Sequence, residues 1–194
     1  MNATQKFPSF QKPRRTEMAV EDASWIQDFL LHASFGVIAF IQDEQPYLHT
    51  NLFVYETERG AIYMHSGLKG RMPAAASKGL PACFTVIEMG RLLPASKAIS
   101  FDVEYASVVA FGQLTILADR AQRRHSLQLL LDKYAPHLKP AIDYQPIQPE
   151  ELDKTVVYQF AIESWSGKLN QEDEDFPGAY YYPDWSVLKQ ATSP

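Results

Sequence analysis

Three strand-like segments follow one another with almost no chain between them. Phe35–Ile41, Tyr47–Tyr55 and Ala61–His65 are rich in Phe, Val, Ile and Tyr, separated only by the polar turns Gln42-Asp43-Glu44-Gln45-Pro46 and Glu56-Thr57-Glu58-Arg59-Gly60. Parallel neighbours need a crossover of about a dozen residues or more, so these segments can pair only as an antiparallel meander. Downstream, Leu80–Met89 and Thr155–Glu163 read as further strands, and Phe101–Ala118 as one bent strand or two paired ones with Gly112 at the bend.

Helical spacing occurs in two places. Ile26, Phe29, Leu30 and Ala33 fall on one stripe of Glu21–Ala33, and Leu127, Leu130, Leu131 and Tyr134 do so behind an N-cap at Asp119. A short helix over Gly70–Lys78 accepts Pro73 in its first turns. The inventory is mainly β with α: six strands in one antiparallel sheet with flanking helices. A closed or split barrel suits it, because closure removes exposed edges.

A chain of 194 residues with 46% hydrophobic and 21% charged residues is ordinary for one globular domain. The single cysteine, Cys83, forms no internal bridge and matches a reducing, cytoplasmic setting. No apolar run approaches the roughly 18 residues of a membrane span, and the first residues lack a signal-peptide core. Residues 1–20 read as an arm, 21–170 as the domain, and 171–194 as an acidic, then aromatic extension carrying Phe176, Tyr180, Tyr181, Tyr182 and Trp185. So many aromatics imply packing on the body or on a partner subunit.

The net charge of −5 argues against a general nucleic-acid binder, yet the charge is uneven. From Arg59 to Ile87 there is no acid, while Arg59, Lys69, Arg71 and Lys78 give +4. Within that window "YMHSGLKGRM" ends a strand and places two cations around Gly70. The residues alone leave three readings: an anion site, a nucleic-acid contact through Gly67-Leu68-Lys69-Gly70, or a solvated turn. Neither a phosphate-loop nor a dinucleotide glycine fingerprint is present, and His32, His49, His65, His125 and His137 match no metal-ligand spacing.

The order "PYLHTNLFVYETERGAIYMHSGLKGR" resembles the core of the FMN-binding split barrels related to pyridoxamine 5′-phosphate oxidase, and "ESWSGKLNQ" is similar to that oxidase's C-terminal W-x-G-[RK]-x-N signature. The spacing of "FGVIAF", "HSGLKGRM", "ACFTV" and "FDVEYASVVAFGQ" is similar to the 5-nitroimidazole-resistance-like branch, over roughly residues 14–170. The resemblance implies FMN as cofactor, with His49, Thr50, Asn51 and Leu52 along the isoalloxazine. Met64, His65, Ser66, Lys69, Gly70 and Arg71 fall on the phosphate side, and Trp165 and Lys168 close the site from the other subunit of a homodimer. It further implies NADH or NADPH as electron donor and a nitroaromatic, quinone or similar small acceptor. A non-catalytic flavin-binding carrier or sensor, with haem or deazaflavin as variant ligands, is the alternative. Gln171 and Asp173 stand where the true oxidase has an arginine and a histidine, which argues against oxidation of pyridoxamine phosphate.

Overall fold

The computed structural model describes residues 13–182; the expectations for residues 1–12, Pro183 and Trp185 lie outside them. Nine strands form one antiparallel sheet. In chain order they are β1 (Ala19–Val20), β2 (Gly36–Gln42), β3 (Gln45–Asn51), β4 (Val54–Glu56), β5 (Ala61–Ser66), β6 (Pro81–Leu93), β7 (Asp102–Ile116), β8 (Val156–Asn170) and β9 (Tyr180–Tyr181). Helices α1 (Ala23–His32), α2 (Arg71–Ser77), α3 (Arg120–Tyr134) and α4 (Pro149–Leu152) fill the connections. The sheet path is β3-β2-β6-β7-β8-β5-β4, with β1 on β8 and β9 on β6, and it does not close.

The strand count corrects the expectation of six. Two of the additions, β1 and β9, are two-residue pairings. The third arises because Tyr47–Tyr55 is two strands, interrupted at Leu52-Phe53. The β2–β3 connection is also tighter than expected. Asp43 and Glu44, at φ 52° and 64°, make a two-residue turn, so Gln42 already pairs with Gln45 and Pro46 sits on the end strand.

The sheet curls around one main core. Ile38 and Phe40 of β2, Ile62 and Met64 of β5, Phe84 of β6, Val108 and Leu114 of β7, and Tyr158 and Phe160 of β8 all face it. Ile26 and Leu30 of α1 and Met72, Ala75 and Ala76 of α2 complete it. Each large side chain taken fully from water contributes about 1.5–3 kcal/mol. β5 is buried on both faces, because Ala61 and Tyr63 point into a second cluster with Val54, Val157 and Leu130 of α3. That explains its uninterrupted apolar sequence. Asp22 and Asp119 cap α1 and α3, their carboxylates accepting from Ser24 N at 2.9 Å and Gln122 N at 2.8 Å.

Phe101–Ala118 is a single strand with its irregularity at Gly112, one of the two alternatives read from sequence. Phe111 pairs with Ser164 and Gly112 with Ile162, leaving Glu163 as the extra residue of a bulge. A Cβ at Gly112 would lie 1.9 Å from the Ala161 carbonyl oxygen. β8 runs seven residues past the expected Glu163, to Asn170, pairing with β7 throughout.

The acidic stretch after Asn170 is held by its backbone. At a bulge in β6, Arg91 forks onto Glu104 of β7, Nε to Oε2 at 2.8 Å and Nη2 to Oε1 at 2.6 Å. Its remaining hydrogens reach the carbonyls of Glu172 at 3.2 Å, Asp173 at 2.9 Å and Glu174 at 2.8 Å, while Glu172 N–H donates to Glu104 Oε1 at 3.0 Å. β9 then pairs with Arg91 and Leu92. The extension packs on the body as far as it is described.

The Arg91 fork, assisted by two backbone N–H groups, lowers the Glu104 carboxyl from 4.5 to about 2. The stabilisation is fully present above the unfolded value of 4.5 and is lost as pH falls through about 2. Glu104→Gln is expected to lower the urea midpoint at pH 7, and its deficit should shrink steadily between pH 4.5 and 2. A deficit that did not change with pH would show that the carboxylate charge contributes nothing.

Candidate functional site

β3 ends the sheet, so one backbone edge of it has no strand partner. Its residues alternate. Tyr47, His49 and Asn51 share the half-buried face, and Leu48, Thr50 and Leu52 the exposed one. Tyr47 packs on the core and stacks with His49 at 6.4 Å between ring centroids. At the end of β3, Asn51 Nδ2 donates to the His65 carbonyl at 3.0 Å, fastening this strand to the end of β5.

The loop beyond β5 completes a cradle. Ser66 Oγ lies 2.6 Å from the hydroxyl of Tyr158, which burial keeps protonated. Gly70, at φ 132°, is the N-cap of α2, a conformation that a side chain would strain. It turns the chain so that the Arg71 guanidinium lies 5.0 Å above the Tyr47 ring centroid. Arg71 and Tyr47 line a polar cavity of about 240 Å³ with Gln42, Asp43 and Gln45. Lys69 is exposed and forms no ion pair among the described residues. An exposed cation two residues from a platform-held guanidinium suits an anion with several oxygens, such as a phosphate.

The structure therefore brings together His49, Asn51, Ser66, Gly70 and Arg71, with Lys69 alongside. Thr50 and Leu52 lie on the other face of β3. Met64 is fully buried in the core, so only its backbone can serve a ligand. The His65 side chain points opposite to Met64, into an apolar cavity of about 280 Å³ that it shares with Leu52 and α3. Trp165 and Lys168 are elsewhere. Ser66 pairs with Val156, and Trp165 is nine residues farther along β8, about 30 Å at strand rise. Trp165 packs half-buried on the core, and Lys168 pairs with Ala19 and Ser107.

Two tyrosines that shape this region were not read from sequence. Tyr47 lies two residues before His49, so strand alternation places it on the same face and could have found it. Tyr134 offered no local signal. Its hydroxyl accepts the Phe53 N–H at 3.0 Å and shares its proton between the carbonyls of Ser34, at 2.7 Å, and Phe53, at 2.9 Å. Those bonds divide β3 from β4. Beside it, Lys133 Nζ sits 3.9 Å from the Phe53 ring centroid, where burial lowers its ammonium to about 8.

A curled, open antiparallel sheet with a cationic loop against its terminal strand is consistent with the split-barrel fold. Residues 22–169 match the family model described as pyridoxamine 5′-phosphate oxidase, and the chain belongs to that family. No curated protein sequence matches it. Among solved structures, the flavocytochrome Anf3 from Azotobacter vinelandii is similar at 21% identity and TM-score 0.74, over 91% of this chain and 86% of that one. The FAD and heme binding protein from Mycobacterium smegmatis is similar at 20% identity and TM-score 0.72, over 91% and 81%. A proposed 5-nitroimidazole antibiotic resistance protein from Bacteroides thetaiotaomicron follows at 20% and 0.63, over 78% and 86%. Among the described residues no helix is long and apolar enough to cross a membrane.

Tyr134→Phe keeps the ring and leaves the Phe53 N–H without its partner. Folding stability is expected to fall by about 1–3 kcal/mol, the cost of an unsatisfied buried donor. Equilibrium denaturation checks it, and an unchanged midpoint would mean that water replaces the hydroxyl.

Proposed function

We propose that the chain is a flavin-dependent oxidoreductase whose cradle holds FMN. The observation that carries this reading is Arg71 braced on Tyr47 next in sequence to Lys69-Gly70, against a strand that ends the sheet among the described residues. The donor set fits the ligand. Arg71 and Lys69 face the phosphate, Ser66 and His49 supply further hydrogen bonds, and the open edge of β3 meets the polar rim of the isoalloxazine. Family membership supports the same assignment.

A bound flavin supplies two-electron transfer, in which NADH or NADPH gives up a hydride and a quinone takes two electrons and two protons to leave as the hydroquinone. This chain's residues bind, orient and shield. Asn51 ties the ends of β3 and β5 together, and the Tyr47 ring supports the guanidinium of Arg71. Oxidation of pyridoxamine phosphate is not supported, because Gln171 and Asp173 provide no cation and the Asp173 carbonyl is engaged by Arg91.

In this proposal Trp165 and Lys168 serve the cradle of a second copy. The outer sheet face favours such a partner. Ile41, Leu48 and Cys83 surround an apolar groove of about 530 Å³, with Ile41 63% and Leu48 67% exposed. A carrier or sensor without turnover is distinguished by adding NADH or NADPH and watching the flavin absorbance bleach.

Arg71→Ala is expected to weaken FMN binding by about 1.5–3 kcal/mol, roughly 10- to 150-fold. Titration with FMN measures it, and unchanged affinity would overturn the phosphate assignment. The pair Ile41→Glu and Leu48→Glu is expected to turn a dimer into a monomer and to reduce FMN affinity at the same time. Sedimentation alongside the titration checks both, and a monomer with intact affinity would remove Trp165 from the site.

A further inference from the structure

Beside the cradle lies a second space of different chemistry. Leu127, Leu130 and Leu131 of α3 line it together with Ile147 and with Leu52, which is 48% exposed. The volume is about 280 Å³, at the small end of ligand pockets.

The polar groups on its border are already occupied, with one exception. The Tyr134 hydroxyl is committed to Phe53 and Ser34. The Glu151 carboxylate accepts the Gln148 N–H at 2.7 Å in the capping box of α4. Only the His65 imidazole has no hydrogen-bond partner among the described residues, and burial lowers it from 6.5, so it is neutral at pH 7.

The Ile147 side is tied in place. Arg124 of α3 donates to the Ile147 carbonyl, Arg120 to the Pro149 carbonyl at 2.9 Å, and Gln128 to the Tyr144 hydroxyl at 2.9 Å. The slot is thus pre-formed, apolar and served by one uncharged hydrogen-bonding group. It shares two lining residues, Leu52 and His65, with the strand ends that bound the cradle.

We propose that this slot binds the electron acceptor, and that the acceptor is a compact, uncharged aromatic molecule of one or two rings whose hydrogen-bonding oxygen meets the His65 imidazole. An anion would find no cation there, and a larger molecule would strike Ile147. The acceptor role rests on the flavin reading above; occupancy of the slot does not.

The test uses the full chain and 2-methyl-1,4-naphthoquinone as the probe, titrated calorimetrically with a parallel FMN titration. The wild type is expected to bind the quinone. Ile147→Trp, and Leu131→Trp should the first variant fold poorly, are each expected to weaken it at least tenfold with FMN affinity unchanged. His65→Leu is expected to weaken the quinone about 3- to 10-fold, one hydrogen bond's worth, and to leave 2-methylnaphthalene unaffected. No quinone binding by the wild type, or binding indifferent to both tryptophans, overturns the proposal. Equal loss of FMN in the tryptophan variants overturns it too, because the slot would then hold the flavin. Failure of the wild type to bind FMN sinks the flavin reading, while the quinone titration still decides the slot.

Discussion

One close approach sets the shape of the molecule. Where β7 meets β8 at Gly112, the Ala161 carbonyl oxygen occupies the space any side chain would need, and Glu163 bulges out of register. A flat pair of strands this long could not enclose anything. Bent at this point, β7 and β8 carry the rest of the sheet around Phe84, Tyr158 and Phe160, so that residues from β2, β5, β6, β7 and β8 share one core. Even alanine at 112 would have to push the strands apart or flatten the bend.

That curl decides where the functional groups are found. It leaves β3 as an end strand, and an end strand is the one place where backbone hydrogen-bonding groups remain available to a ligand without breaking the sheet. Two further devices place the site at the end of that strand. Tyr134 takes up both backbone groups of Phe53, which stops the strand pairing and lets β4 turn away. Asn51 spans to the His65 carbonyl, so the ends of β3 and β5 stay together even though β2, β6, β7 and β8 lie between them along the sheet.

Much of this was legible where the cause is local. The short polar turns forced antiparallel pairing, the caps at Asp119 and the apolar spacing of α1 and α3 located helices, and Gly112 marked the irregularity. The cationic loop at Lys69-Gly70-Arg71 was found for the same reason, since charge and glycine are visible in a short window. What escaped depends on distant partners. The break at Leu52-Phe53 is made by a hydroxyl 81 residues away. The packing of the acidic, aromatic extension was expected, but not that Glu172–Glu174 are held through their carbonyls by Arg91, whose own partner Glu104 sits across a hairpin. The apolar slot was invisible because Leu52, His65, Leu131 and Ile147 have no sequence relation to one another.

The distance along β8 turns a motif into a question of assembly. Ser66 and Trp165 lie about nine residues apart in strand register, roughly 30 Å, and a tryptophan side chain spans only a fraction of that. The two halves of the resemblance, a phosphate loop after β5 and a tryptophan signature at the end of β8, therefore lie nine residues apart along one chain's sheet and share no contact among the described residues. Bending does not rescue the contact, because the bulge at Glu163 directs Trp165 onto the chain's own core. If the signature serves a flavin, the proposed route is in trans, with the exposed apolar face around Ile41 and Leu48 as the proposed contact between copies. If it does not, the same residues have a sufficient structural role, since Gly167 and Lys168 receive β1 and Trp165 fills the space behind α1. Cofactor binding and self-association are thus one question for this protein, and a monomer that bound flavin at full strength would assign the tryptophan to the core alone.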